Sequence, residues 1–372
     1  MDDLNTIYLR AIEFEQTYDI EMSKVCSCTD YSFMPRPVYL SEVIKRAFLP
    51  ILRFFSRRYL FIIISLSSIT VVKLLFGMIK AKNDIKILDD IAGKVIYVDT
   101  STSQNLPFTK LSIDRRIAFR VNDDLSVDQI LSLKDYFWIL NKFIHLILHW
   151  PKSNINPLYL YSYANFAKMY LCLTKVGASE IVFSNQYDRW LVLCSSFKNS
   201  VMIQHGTVFM SSNKYIDIAM PATKTKFQVQ KLYFFETNAD KVFQTYLSVG
   251  EVIKFDLTSN LIKHVTDKSV VIIVVGGSDS QDFFERLILN LVDALDAHDP
   301  HIIYRPHPRS KKVNKLIDEL CEVTAIDYEC DIYVSYHSTL DEIYKKSYCN
   351  KVFYEWTDKN INQIVKQVLS YV

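Results

Sequence analysis

The chain has 372 residues, 49% of them hydrophobic and 13% aromatic, and its formal net charge at pH 7 is +2. This length suggests two domains with a core each, and the apolar content excludes intrinsic disorder. The nearly balanced charge gives no general attraction to nucleic acids. No GxGxxG or GxxxxGK loop occurs, which disfavours dinucleotide-dependent enzymes and P-loop NTPases.

The seven cysteines are scattered along the chain, and only Cys26 and Cys28 lie close together. A single C-x-C pair falls short of the ligand set of a zinc site. The sequence therefore predicts neither a metal site nor a cofactor. An odd number of thiols without a secretory signal indicates a reducing cytosol.

Residues 41–82 combine basic and apolar side chains. Five basic residues interrupt an apolar background within residues 45–58: Lys45, Arg46, Arg53, Arg57 and Arg58. The uncharged run from Tyr59 to Val72 that follows is shorter than the ~20 residues that span a bilayer. Two interpretations remain open, a helix at the cytoplasmic membrane surface and a buried helix of the first domain. We treat residues 1–90 as an N-terminal extension that carries this segment.

From residue 91 onward, strands and helices alternate, which predicts an α/β protein with parallel sheets. Residues 91–265 form the predicted first domain and residues 266–372 the second. Strands are predicted at 94–99, 181–184, 201–203, 232–235, 270–275, 301–307, 331–335 and 351–354, and helices at 127–150, 157–176 and 238–248. We expect Gly250 to end the last of these helices.

Polar residues follow several of these strands. His307 lies between Pro306 and Pro308, which end the strand that begins at His301, and Arg305 and Arg309 flank it. Guanidinium groups bind phosphate oxygens in pairs of hydrogen bonds, so this exit suits an anionic ligand. Polar or glycine residues also follow three other predicted strands: Gln204, His205 and Thr207 after the strand at 201–203, Gly276 and Gly277 after the strand at 270–275, and His337, Ser338 and Thr339 after the strand at 331–335. The two glycines form either a phosphate-binding turn or an ordinary turn between a strand and a helix.

Three motifs carry a resemblance to a known group: Gln-His-Gly-Thr at 204–207, Tyr-Arg-Pro-His-Pro-Arg at 304–309 and Ser-Tyr-His-Ser-Thr at 335–339. They resemble bacterial GT-B transferases of surface polysaccharides, which include sialyl- and polysialyltransferases, Kdo transferases and CDP-glycerol polyol-phosphate transferases. The resemblance covers about residues 180–355. It implies two Rossmann-like domains whose parallel sheets face a central cleft.

The resemblance also implies roles for individual residues. His307, Ser338 and Thr339 would contact the phosphate of a cytidine nucleotide. His205 would be catalytic and would lie across the cleft near the donor or the acceptor, with Gln204 and Thr207 on the acceptor side. Asp99 and Asp188 are candidates for the carboxylate base, and a helix cap or a solvated loop carboxylate is the alternative for each. Val208 stands where polyol-phosphate transferases usually have proline, which disfavours that activity.

These expectations define an inverting, metal-independent glycosyltransferase on the inner face of the cell membrane. It would move a sugar, most readily from a CMP-sugar, to a lipid-linked glycan or surface polysaccharide. Three alternatives stay open: a CDP-polyol-phosphate transferase, a nucleotide-sugar 2-epimerase and a non-catalytic GT-B partner of an assembly complex.

Overall fold

Two parallel β-sheets, formed by successive parts of the chain, organise the fold. A computed structural model of the chain describes residues 3–25, 59–81, 85–99, 118–120, 124–150, 155, 157–184, 188–204, 226–257, 261–264, 266–276, 281–306, 314–324, 326–335, 340–345, 347–353 and 361–372. By their contacts the described residues separate into two compact units, one up to Lys254 and one from Phe255. The α/β class with parallel sheets is confirmed.

The first unit contains these helices and strands: α1 (Leu4–Val25), α2 (Tyr59–Lys80), α3 (Ile85–Ile91), β1 (Val95–Asp99), β2 (Ala118–Arg120), α4 (Asp124–Ile130), α5 (Leu133–Leu148), a 3₁₀ turn (Pro157–Ser162), α6 (Tyr163–Val176), β3 (Glu180–Phe183), α7 (Arg189–Ser195), β4 (Ser200–Ile203), β5 (Phe227–Phe234), α8 (Ala239–Tyr246) and β6 (Leu247–Lys254). The described strands form one parallel sheet in the order β2-β1-β3-β4-β5-β6.

Helices α1 and α2, assigned above to a separate extension, pack within this first unit. The side chain of Glu15 on α1 is fully buried beside the guanidinium of Arg189 on α7, with 3.5 Å between Oε2 and Nε. On α2, the buried Thr70 hydroxyl donates to the carbonyl of Leu160 at 2.9 Å. Among the described residues, no helix has both the length and the apolarity that crossing a membrane requires.

Strands whose residues are all buried were predicted from the sequence. All four residues of β4 are buried, as expected of a central parallel strand. The region after α8 differs from expectation, because the helix ends at Tyr246 and the chain continues as β6 through Gly250. A Cβ atom on Gly250 would lie 2.9 Å from the carbonyl oxygen of Gln230 on β5. This glycine therefore permits a close strand approach and does not end a helix.

The second unit contains these helices and strands: β7 (Val271–Val275), α9 (Gln281–Leu295), a 3₁₀ turn (Asp296–His298), β8 (His301–Arg305), α10 (Lys315–Leu320), β9 (Glu322–Val323), β10 (Ile332–Ser335), α11 (Asp341–Tyr344), β11 (Asn350–Phe353) and α12 (Ile361–Leu369). Its described strands form a parallel sheet in the order β11-β10-β7-β8-β9. Alternate residues of β7 enter two cores, Ile272 and Val274 on one face and Val271, Ile273 and Val275 on the other.

Candidate functional site

Three neighbouring strands of the second sheet lead into the segments predicted to bind phosphate. In the strand register, Val275 of β7 pairs with Ser335 of β10 on one side and with Arg305 of β8 on the other. Adjacent strands lie about 4.8 Å apart, so these three residues span roughly 10 Å along one sheet edge. The fold thus brings the starts of the 276–277, 306–309 and 336–339 segments together.

The strand order makes this edge a favoured ligand position. From β7 the chain adds β8 and then β9 on one side, whereas β10 and β11 lie on the other side. Ligands of open α/β sheets bind outside the carboxyl ends of the strands where the order reverses in this way. Gly276 and Ser335 stand at the two strands that flank this reversal.

Many predicted site residues lie outside the described residues, and their roles stay predictions. These are His205, Thr207, Gly277, His307, Arg309, His337, Ser338 and Thr339. The structure does describe the strand residues that precede them. Strand β8 ends at Arg305, two residues before the predicted end at His307, because Pro306 has no N–H to continue the ladder.

Arg305 has a carboxylate partner within its own unit. Its guanidinium forms an ion pair with Asp327. Burial raises the pKa of the Asp327 carboxyl, although the positive charge of Arg305 opposes that rise. The ion pair orients Arg305 at the strand end, and phosphate binding by this residue stays a prediction.

Gly276 is required by close packing at the end of β7. Its N–H donates to the carbonyl oxygen of Arg305 at 2.9 Å, which continues the ladder one residue beyond the strand. A Cβ atom at this position would lie 2.6 Å from the hydroxyl oxygen of Tyr304. Burial raises the pKa of this tyrosine to about 12. The glycine therefore leaves room for the Tyr304 side chain beside the end of β7.

Asp341, which has no role in the sequence-based prediction, connects the two ends of the 336–339 segment. Its Oδ1 accepts hydrogen bonds from the Ser335 hydroxyl at 2.6 Å and from the Tyr333 hydroxyl at 2.8 Å. The carboxylate is buried. Because Ser335 precedes the segment and Asp341 follows it, these bonds hold both of its ends.

The first sheet has an order reversal of its own, between β1 and β3. Asp99 is the last residue of β1 and pairs in register with Arg120 of β2. Its backbone therefore lies at the sheet edge where a ligand is expected. Ser184, which follows β3 on the other side of the reversal, is buried.

Asp188 has a structural role. It is the N-cap of α7, and its carboxylate accepts hydrogen bonds from the N–H groups of Trp190 at 2.9 Å and Leu191 at 3.3 Å. Two otherwise unsatisfied donors at the helix start are thereby paired. Of the two candidates for the base, Asp188 therefore uses its carboxylate to cap α7, whereas the backbone of Asp99 lies at the reversal of the strand order.

Gln204 is a buried connector at the end of β4. Its Nε2 donates to Glu236 Oε2 at 3.0 Å, and its Oε1 accepts from the backbone N–H groups of Phe235 at 3.0 Å and Glu236 at 3.3 Å. It thus joins the exits of β4 and β5. Glu236 adds a buried carboxylate to this edge that sequence reasoning missed. Its position directly after a predicted strand was the available signal.

Among the described residues, one group combines the ligand types and spacing of a metal site: His264, His301 and Glu322. His301 begins β8 and Glu322 begins β9, so this group lies at the amino-terminal edge of the second sheet. The predicted phosphate segments follow the opposite edge. The group was not predictable from a local pattern, because its members are far apart along the chain.

A scan against models of protein families found no matching family, and a search of curated proteins found no matching sequence.

Proposed function

We propose that the protein is a glycosyltransferase of GT-B architecture. It moves a sugar from a nucleotide-activated donor, most readily a CMP-sugar, to a growing surface polysaccharide or lipooligosaccharide. One observation carries the proposal: three adjacent strands, β10, β7 and β8, lead into hydroxyl-rich, glycine and basic segments beside the order reversal of the second sheet. Glycine turns, hydroxyls and basic side chains are the groups with which proteins bind phosphate.

The proposed reaction is a displacement at the anomeric carbon of the donor. A carboxylate removes the proton of an acceptor hydroxyl, the acceptor oxygen bonds to the anomeric carbon, and the bond from that carbon to the phosphate oxygen breaks. His307, Ser338 and Thr339 stabilise the negative charge of the departing nucleotide. His307 also supplies a proton to the leaving phosphate.

Asp99 is the proposed base. It ends β1 beside the order reversal of the first sheet, whereas Asp188 already caps a helix. Glu236 is a further carboxylate at this edge, and Gln204 holds it by a hydrogen bond. A base must reach a substrate proton, so a strand end at the ligand edge is a favourable position for it.

A nucleotide screen by thermal shift tests the donor class. A ligand that binds the folded state raises the unfolding temperature by mass action. We expect CMP to stabilise the chain more than UDP or GDP, and the Ser338→Ala/Thr339→Ala variant to lose that shift. His298→Ala, a change at an exposed histidine of the same unit, is the control. Stabilisation by CDP alone would favour the polyol-phosphate transferase, and no shift with any nucleotide would contradict the proposal.

An exposed apolar surface in the first unit supports action on a lipid-linked acceptor. Six apolar side chains of α2 are exposed: Ile64, Ile69, Val72, Leu75, Phe76 and Ile79. The neighbouring helix α5 exposes five more: Leu133, Phe137, Trp138, Ile144 and Leu148. Together these residues form the apolar surface of the first unit. Exposed apolar areas of this kind mark sites of interaction with proteins or membranes.

The charges around the apolar surface favour an anionic lipid headgroup layer as its partner. Helix α2 has no acidic residue and exposes Lys73 and Lys80 beside its apolar stripe. On α5, Lys134 is exposed, whereas the acidic Asp135 is engaged by Lys175. Each lysine near an anionic membrane contributes about 1 kcal/mol of attraction. The proposed position is thus peripheral, on the inner face of the cell membrane.

Vesicle sedimentation tests this surface. We expect binding to vesicles that contain anionic phospholipid, weaker binding to zwitterionic vesicles, and release at high salt. Phe76→Glu/Ile79→Glu should abolish binding, because both side chains are largely exposed and their replacement spares the core. The matched control is Leu316→Glu/Leu320→Glu, which alters exposed leucines of the second unit. Equal vesicle binding by the two variants would contradict the proposal. It would also be contradicted if Phe76→Glu/Ile79→Glu retained vesicle binding and instead lost a dimer, because the apolar surface would then contact a second copy of the chain.

A further inference from the structure

Two imidazole rings converge on one carboxylate oxygen in the second unit. Nε2 of His264 lies 2.9 Å from Oε2 of Glu322, and Nε2 of His301 lies 3.0 Å from the same oxygen. The three potential ligand atoms all lie within 4.8 Å of one another. Two histidines and one carboxylate are a common ligand set for a transition-metal ion.

We propose that His264, His301 and Glu322 bind a divalent transition-metal ion, Zn²⁺ in particular, which fastens segment 261–264 to the second sheet. This proposal does not rest on the glycosyltransferase activity. In a tetrahedral zinc site with bonds of 2.0 to 2.1 Å, neighbouring ligand atoms lie about 3.4 Å apart. Each imidazole nitrogen needs to move away from the Glu322 oxygen by only a few tenths of an ångström to reach that spacing. Three protein ligands leave a fourth position for water.

The backbone already holds the three ligands in place. His301 begins β8, and its N–H donates to the carbonyl oxygen of Val270 at 2.8 Å. Glu322 begins β9, where it pairs in register with Ile303 of β8. Both ligands therefore stand on adjacent strands, and little conformational freedom is lost when they bind an ion.

His264 reaches the group from outside the sheet. Its segment forms a parallel β-bridge between Ile262 and Tyr328. The N–H of Ile262 donates to the carbonyl oxygen of Asp327 at 3.0 Å, and the N–H of Glu329 donates to the carbonyl oxygen of Ile262 at 2.8 Å. The Tyr328 ring packs edge-on against the imidazole, with 4.6 Å between ring centroids. The imidazole orientation is thus set by packing as well as by Glu322.

The position of the group indicates a structural ion. It lies at the amino-terminal edge of the sheet, whereas the proposed nucleotide site follows the carboxyl-terminal edge. An ion that joins segment 261–264 to β8 and β9 restrains the part of the chain that enters this unit. We therefore expect metal removal to lower thermal stability without removing sugar transfer at temperatures well below unfolding.

The first experiment is calorimetric titration of the EDTA-treated, dialysed full chain with Zn²⁺ at pH 7.5. We expect one tight site, weakened at least ~100-fold by His264→Ala and by Glu322→Gln, since each removes a direct ligand. The control is His149→Ala. His149 stacks on His145 one turn away on α5, with 4.2 Å between ring centroids, and that pair is another possible zinc ligand set.

The results of this titration decide the proposal. Loss of the tight site in His264→Ala and Glu322→Gln, with retention in His149→Ala, supports it. Absence of tight binding by the wild-type chain overturns it, and so does unchanged affinity in both ligand variants. Loss only in His149→Ala also overturns it, because the zinc would then bind on α5.

A second measurement covers variants that fail to fold. Wild-type chain loaded with Co²⁺ should show the visible absorption of a four-coordinate ion, and Zn²⁺ should displace it. Saturating Zn²⁺ should raise the unfolding temperature of the wild type by on the order of 5 °C, and EDTA should reverse that shift. Absence of both the Co²⁺ band and the Zn²⁺ shift overturns the proposal.

Discussion

The carboxyl-terminal edges of the two sheets share a topology and differ in chemistry. Both sheets reverse their strand order, the first between β1 and β3 and the second between β7 and β10. Beside the first reversal the chain places Asp99, and beside the second it places Gly276 and Ser335. The first edge thus carries an acidic residue, and the second carries a glycine and a hydroxyl residue.

The comparison also separates structural polar groups from available ones. In the first unit, the side chain of Gln204 forms hydrogen bonds with Glu236 and with the backbone N–H of Phe235, and the carboxylate of Asp188 accepts a hydrogen bond from the backbone N–H of Trp190. In the second unit, Asp341 holds the ends of the 336–339 segment through Ser335 and Tyr333. These polar groups are thus already hydrogen-bonded within the fold. Topology therefore indicates where a ligand binds, and the remaining polar groups indicate which ligand.

The largest expected effect separates the two carboxylates of the first unit. Asp99→Asn should lower kcat by about 10²- to 10⁴-fold, because an amide cannot remove the proton from the hydroxyl group of the acceptor sugar. Asp188→Asn should leave kcat within about threefold, because the amide oxygen still caps α7. Steady-state transfer from a CMP-sugar measures both. Wild-type activity in Asp99→Asn would contradict the proposal that the first sheet edge supplies the catalytic base.

The next effect concerns the second edge. His307→Ala should lower kcat by at least ~10², the range for loss of a general acid or of one stabilising donor. The unfolding temperature should change little, and His298→Ala should retain full turnover. A folded His307→Ala protein with wild-type turnover would show that the anion is bound elsewhere.

A smaller effect is expected from the hydroxyls of the same edge. Ser338→Ala/Thr339→Ala should weaken CMP binding by about 10- to 100-fold, since two neutral donors to a charged phosphate are lost. Calorimetric titration with CMP measures this change. Unchanged affinity would mean that these two hydroxyls do not bind the nucleotide, and the assignment of the donor to this edge would then depend on His307 alone.

The smallest effect concerns a carboxylate with a structural role. Burial opposes ionisation of Asp135, yet hydrogen bonds from Lys175 and Ser132 outweigh it and lower the pKa of this carboxyl. A lowered pKa in the folded state stabilises the fold above the ordinary value of about 4, and this contribution is lost as the pH falls below it.

We expect this contribution to be below about 1 kcal/mol, because Lys175 is partly exposed to solvent. Asp135→Asn should therefore reduce the slope of the free energy of unfolding against pH between about pH 4 and pH 2. Urea unfolding across that range measures the slope. An unchanged slope would show that the carboxylate does not contribute, and activity at neutral pH should not change in either case.

Continuous apolar runs made the central strands predictable. Residues 271–275, 301–305 and 332–335 are strands near the predicted bounds because each is buried on both faces. The two-residue β9 and the three-residue β2 were missed because they are too short for a pattern. Strand β6 was missed because most of its residues are exposed or half-buried, so its sequence lacks a buried run.

The candidate site was predictable in part, because a strand exit is a local feature. The exits at Arg305 and Gly276 follow from an apolar run that ends in proline or glycine. For Asp188 the sequence left a catalytic base and a helix cap open, and the contacts of Gln204 were not predictable, since both residue types serve in structure and in catalysis. Only their hydrogen-bond partners in the fold separate these roles.

The sequence by itself determined the parallel α/β class and the residues that leave the strands, because both depend on local patterns of burial and backbone geometry. The tertiary structure decided the strand order, and with it which exits are neighbours at an order reversal. It also brought His264, His301 and Glu322 together, although 58 residues separate the first from the last. Such contacts depend on how strands pair and not on local pattern, so no window of sequence contains them.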